Sequence, residues 1–155
     1  MPGIDPSFIT HGLSIEPHFR PYRQKQLIFH PERNTLIAAE VDKLLEAQFI
    51  KNVDYPRLLS NVVLVHKNKG KLRLCVDYSD FNRACPKDSY PLPRIDLLVD
   101  ATAGHQMLSF MDAFSRYNQI LMCQSDREHT SFIIDRGTYH YLVMLFELKM
   151  LGPPI

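Results

Sequence analysis

The sequence has almost no net charge of either sign: 18 lysines and arginines against 17 aspartates and glutamates leave a formal +1 over 155 residues. Without a global basic field, any nucleic-acid partner has to be held by a local patch, which counts against a protein that simply coats nucleic acid. Cysteine is scarce as well. Cys75, Cys85 and Cys123 show no CxxC spacing and are odd in number, and the seven histidines are dispersed. Neither a zinc site nor a disulfide framework is expected, only reduced thiols in an intracellular protein. No apolar run approaches the roughly 20 residues of a membrane span. The start, "MPGIDPSFITHG", lacks the basic-then-apolar layout of a signal peptide. The chain is therefore expected to be soluble, intracellular and without a membrane partner. Gly-rich phosphate loops of the common types are missing, as are GxSxG and HExxH, which argues against the enzyme classes they mark.

What is present is a core. Apolar residues make up 45% of the chain and charged residues 23%, the balance of one folded domain or a large piece of one. Residues 1 to 30 carry Pro2, Pro6, Pro17 and Pro21, with Pro31 just beyond, show no sustained period, and read as an extended arm lying on something else. "HPERNTLIAAEVDKLLEAQFI" then changes character. Ile37, Val41, Leu44, Leu45 and Gln48 follow i, i+4, i+7, i+8, i+11, and Pro31 suits a first helical turn, so a helix is expected from Pro31 to Gln48.

"SNVVLVHKNKGKLRLCVDYSDFN" reads as a hairpin with arms Val62–His66 and Lys71–Tyr78 around "KNKG". In the second arm Leu72, Leu74, Val76 and Tyr78 share one face, and Lys71, Arg73, Cys75 and Asp77 the other. A proline-punctuated connection leads to a short helix near Arg94 to Ala101. "LSFMDAFSRYNQI" follows as a strand and turn, and "TSFIIDRGTYHYLVML" as a second hairpin turning at "DRG". Helix, hairpin, helix, strand, hairpin is an α+β order, because no regular βαβ alternation appears.

Alone, Asp112 reads as a solvated turn residue or a helix cap, and Lys71 and Arg73 as the wet face of a hairpin. Together they allow more. A basic hairpin, an acid at a strand tip and Tyr117 at a fixed offset are the groups that can surround a metal-bound triphosphate, cations on phosphate oxygens and the acid on a divalent ion.

The chain resembles the N-terminal part of a reverse transcriptase from a plant LTR retrotransposon of the gypsy type. The segments that carry the resemblance are "MPGIDPSFITH", "QKQLIFHPERN", the long run from "EVDKLLEAQFI" to "RIDLLVDATAGH", "LSFMDAFSRYNQI" and "FIIDRGTYHYLVM", in family order over nearly the whole chain. The resemblance implies a right-hand polymerase with fingers, an incomplete palm and no thumb. It implies a connector over residues 1–30, fingers over 31–86, partial palm over 87–119, more fingers over 120–149 and an aberrant tail over 150–155. It implies that Asp112 is a ligand of two catalytic magnesium ions and that Ala113 offers its backbone carbonyl to one. Tyr117 matches an aromatic steric gate that excludes a 2′-hydroxyl. Lys71 and Arg73 match cations that clasp the incoming deoxynucleoside triphosphate, with Lys67 assisting. The implied partners are an RNA or DNA template-primer and the missing palm and thumb segments.

The family's second and third carboxylates come from a YxDD hairpin that these 155 residues do not contain. Arg116 stands where a glycine is usual, and Leu145 and Glu147 where the family turn has a proline and a glycine. The expectation is a decayed or truncated copy in which RNA-directed DNA polymerisation is the ancestral activity and the isolated chain is silent. Two other readings stay open: a binding remnant that holds a strand through Lys67, Lys69, Lys71 and Arg73, and a product with no selected role. Without the strands that pair with the Asp112 strand, an open edge and a bare apolar face are expected, hence marginal stability, with the fingers portion best ordered.

Overall fold

Pro31 opens the long helix because its ring fixes φ near the helical value and its missing N–H would lack a partner in a first turn anyway. The computed structural model describes residues 3–16, 18–66, 72–85, 94–109 and 116–145, and here this helix is α1, Pro31–Glu46. Ile37 and Val41, one turn apart, are its buried residues. The helix stops two residues short of Gln48. Gln48 N–H donates to Leu45 O and Phe49 N–H to Leu44 O, each at 2.9 Å, and Gln48 sits at φ +59. These paired bonds close a helix through one left-handed residue, a place where glycine is usual and glutamine costs roughly 1 kcal/mol.

The chain turns straight into β2 (Ile50–Asn52), having earlier formed a two-residue strand, β1 (Thr10–His11). The first hairpin is β3 (Ser60–His66) and β4 (Leu72–Val76), antiparallel with Val62 opposite Val76 and Val65 opposite Arg73. Its alternation follows the pattern read from sequence. Val62 and Val76 are buried, whereas Val63, Val65 and Arg73 are exposed. Tyr78 lies beyond β4, beside a six-residue helix, α2 (Ser79–Ala84), that the sequence reading missed. It is still buried, and its hydroxyl donates to Thr130 O at 2.8 Å.

The second hairpin is β6 (Phe132–Ile134) and β7 (Gly137–Tyr141), turning through Asp135 and Arg136. Gly137 at φ +145 takes a backbone angle closed to other residues. A short β5 (Leu121–Met122) runs parallel to β1. The main sheet has the order β2-β7-β6-β3-β4, and only β3 and β6 are parallel, at Ser60–Phe132 and Asn61–Ile133. α1 covers one face, joining Ile37 and Val41 to Ile50, Val62, Val76, Phe81 and Phe132 in a single core. The architecture is mixed α and β.

Helix α3 (Ile95–Thr102) falls where it was expected, and none of its residues is buried. Ile95, Leu97, Leu98 and Val99 are all at least half exposed. The strand read over residues 108–120 falls mostly outside the described residues; its described end is a 3-10 turn, Arg116–Gln119. Among the described residues no helix is long and apolar enough to cross a membrane.

The arm does lie on something: the rest of this chain. Ile4 N–H donates to Gln119 O at 2.8 Å, Cys123 N–H to His11 O at 2.8 Å, and Leu13 N–H to the Asp126 carboxylate at 2.7 Å. Further along, Gln24 N–H donates to Leu59 O and Leu59 N–H to Tyr22 O, which extends the base of β3 sideways.

Candidate functional site

Arg73 is exposed on β4, the edge strand of the main sheet as described, at the mouth of a cavity of about 250 Å³. The same cavity is lined by Glu40 of α1, Tyr78, Asn118 and Tyr141. Asn118 sits in the 3-10 turn next to Tyr117, so the structure brings the Arg73 hairpin and the Tyr117 turn to one place. Tyr117 is half-buried and its carbonyl accepts Ile120 N–H at 3.0 Å. Lys67, Lys71, Asp112 and Ala113 lie outside the described residues, as does Lys69.

Two acids near the hairpin are committed elsewhere. Glu40 pairs with Lys43 on its own helix. Asp77 accepts Ser79 Oγ–H at 2.5 Å and Ser79 N–H at 3.0 Å, fastening the start of α2. These bonds, the side-chain one first, hold its carboxyl below the usual range. Among the described residues no group of three or more His, Cys, Asp or Glu side chains is gathered to hold a metal ion.

The hairpin that carries Arg73 is fixed at its root by two amides the sequence did not single out. Gln24 Oε1 accepts Asn61 N–H at 2.7 Å, while Gln24 Nε2 donates to Asp80 Oδ2 at 3.0 Å and, at 3.4 Å, to Asp77 O. Asn61 answers with Nδ2 on Lys25 O at 2.9 Å and accepts Leu27 N–H on Oδ1 at 3.0 Å. Asn61 is 6% exposed, so these bonds satisfy groups that water does not reach. The signal was a polar residue inside an apolar strand, at a place where a sequence alone names no partner.

Two histidines give the fold a pH dependence. Burial lowers the pKa of His11, against the pull of Asp126, and its Nε2 is buried without a partner. Burial, then the cations of Arg127 and Lys51, lower that of His140. Both folded values lie below the ordinary 6.5, so below that pH the unfolded chain takes up protons that the folded chain refuses. Stability is flat above this window and falls as pH drops through it. Thermal midpoints between pH 7.5 and 5.5 should decline, and the double variant His11→Gln, His140→Gln should decline less. Equal slopes for the two proteins would refute the assignment.

No protein-family model matches the chain. It is 32% identical over 120 residues to the retrovirus-related Pol polyprotein from transposon 412 of Drosophila melanogaster, covering 74% of this chain and 10% of that one. It is 29% identical over 153 residues to the enzymatic polyprotein of cauliflower mosaic virus (strain Strasbourg), covering 94% of this chain and 22% of that protein. The chain thus spans less than a quarter of the length of these relatives. Among solved structures, a prototype foamy virus protease–reverse transcriptase superposes with a TM-score of 0.63 at 18% identity, covering 87% of this chain and 18% of that one. The foamy viral protease–reverse transcriptase solved in complex with double-stranded DNA gives 0.62 at 14% identity, covering 90% and 23%. The chain is thus similar in sequence to transposon and viral polyproteins and has the fold of a stretch of a foamy virus protease–reverse transcriptase.

Proposed function

We propose that this chain is the fingers and part of the palm of a reverse transcriptase of a plant gypsy-type retrotransposon, and that these 155 residues do not polymerise DNA by themselves. The observation that supports the reading is the meeting of the Arg73 hairpin and the Tyr117 turn at one cavity. Arg73, with Lys67 and Lys71, would hold the triphosphate of a deoxynucleotide, and the Tyr117 ring would crowd a 2′-hydroxyl. Magnesium, held by Asp112 and the Ala113 carbonyl, would supply charge stabilisation for phosphoryl transfer. The donors do not fit a pair of ions. A pair of ions would need several anions, the resemblance assigns it one carboxylate and one carbonyl, and the described acids Glu40 and Asp77 are bonded to Lys43 and Ser79. The chain's own chemistry therefore stops at binding. The exposed apolar residues of α3 support a role for further palm and thumb segments as its packing partner.

Primer extension on an RNA template with magnesium and the four deoxynucleotides is expected to give no product. Product that disappears in Asp112→Ala would overturn the reading. The exposure of Arg73 favours a second reading, a remnant that binds template-primer through Lys67, Lys69, Lys71 and Arg73, whose affinity should fall as salt rises.

A further inference from the structure

Tyr55 is 92% exposed and holds φ at +53. A non-glycine residue in that region costs roughly 1–2 kcal/mol, and the exposed ring offsets none of it by burial. The loop around it is nonetheless tightly fixed. Val53 N–H donates to Thr138 O at 3.1 Å, Thr138 Oγ–H returns a bond to Val53 O, Arg23 Nη2 donates to Pro56 O at 3.1 Å, and Arg57 N–H donates to Glu128 Oε1 at 2.9 Å. A strained conformation that four bonds over-determine presents a rigid aromatic ring to solvent.

The ring stands on the rim of a cavity of about 500 Å³ lined also by Arg23, Gln26, Asp54, Pro56 and Leu59. Arg57 follows in the loop, Lys51 lies on the adjoining strand β2, and Arg127 stands in the 3-10 turn that Glu128 ties to Arg57. Against these four cations are Asp54, Glu128 and Asp135. Glu128 is already occupied by Arg57 N–H, and Asp135 by Gln26 and Asn34. The excess is one positive charge, with Arg127 Nε donating to Met122 O at 3.1 Å.

We infer that this surface, separate from the Arg73 cavity, is a stacking platform for single-stranded nucleic acid, with a base on the Tyr55 ring and phosphates on Arg23 and Arg57. It rests on the reading that the chain handles nucleic acid. A polyanion alone would need the cations but no ring; a base has a π-face for the ring and a phosphate for each arginine.

The test uses the full chain and a labelled single-stranded twelve-nucleotide thymidine oligomer at about 50 mM salt, where phosphate contacts are strong. Tyr55→Gly should weaken binding at least about fivefold, the effect of losing one stacked base, while Tyr55→Phe keeps it. The thermal midpoint of Tyr55→Gly should be equal or higher, because glycine accepts φ +53 without strain. An abasic oligomer of the same length should bind Tyr55→Gly and the parent alike. Unchanged binding in Tyr55→Gly, parent affinity for the abasic oligomer equal to that for thymidine, or equal displacement by polyglutamate would overturn the platform. If Arg73→Ala removes binding and Tyr55→Gly does not, the platform falls while the wider reading stands. If the oligomer does not bind at all, both fall.

Discussion

Asn61→Asp is expected to cost about 3 kcal/mol or more, a large share of the roughly 5–15 kcal/mol that holds a domain together. The side chain is 6% exposed, and its amide donates to Lys25 O at 2.9 Å and to Gln24 Oε1 at 3.3 Å. A carboxylate there turns both donated bonds into oxygen facing oxygen and leaves a charge without water. Asn61→Ala, which removes the bonds without adding the charge, should cost less, about 1–3 kcal/mol. The variants also differ in pH response. The introduced carboxyl would have a folded pKa above its unfolded value, since burial and neighbouring acceptors favour the protonated form. The cost is then complete above the folded pKa and fades as pH falls through it, so Asn61→Asp should recover relative to the parent in acid and Asn61→Ala should not. Urea midpoints at pH 7.5 and 5 decide it. A parent-like midpoint for Asn61→Asp would mean that the arm does not grip the hairpin root. Arg73, on the partner strand of the same hairpin, would then be positioned by something else.

That grip marks the boundary of what the sequence disclosed. The α1 period, the two hairpins and the α3 position were legible because each repeats an apolar spacing for long enough to rise above chance. The ends were not. α1 stops at Glu46 because backbone bonds close through Gln48, and nothing in the identity of a glutamine announces a left-handed turn. β1, β2 and β5 have three residues or fewer, too short for any period. For the site, the alternation in β4 put Arg73 on the solvent face, and the turn at Arg116–Gln119 brought the Tyr117 neighbourhood to it. Glu40, Asn118 and Tyr141, which also line the cavity, come from elements far apart in sequence, and only the tertiary fold makes them neighbours. The pairing of Gln24 with Asn61 across 37 positions is of the same kind.

Phe132→Ala should cost about 3–5 kcal/mol, the range for emptying a phenylalanine site in a packed core. The ring is 0% exposed, stacked with Tyr139 at 5.8 Å between centroids and tilted against Tyr141 at 5.5 Å. Its backbone position is as important as its burial. Phe132 faces Ser60 where β6 meets β3, and that two-residue parallel pairing is the only ladder joining the hairpin of Arg73 to the hairpin of Tyr141 among the described strands. The core side chain and the weak ladder therefore act at one joint. Phe132→Leu refills most of the volume and should cost less than half as much, while Ile28→Ala, at a side chain 93% exposed, should stay within about 0.5 kcal/mol of the parent. Amide exchange separates a local from a general effect. If Phe132 holds the joint, the β3 amide of Ser60, which donates to Ser131 O at 3.0 Å, should lose protection in Phe132→Ala before those of α1 do. Simultaneous loss everywhere would make the ring a plain core residue, and a cost under about 1 kcal/mol would contradict the packing itself. The cavity takes Arg73 from one hairpin and Tyr141 from the other, so a joint that loosens first would open the candidate site before the domain unfolds.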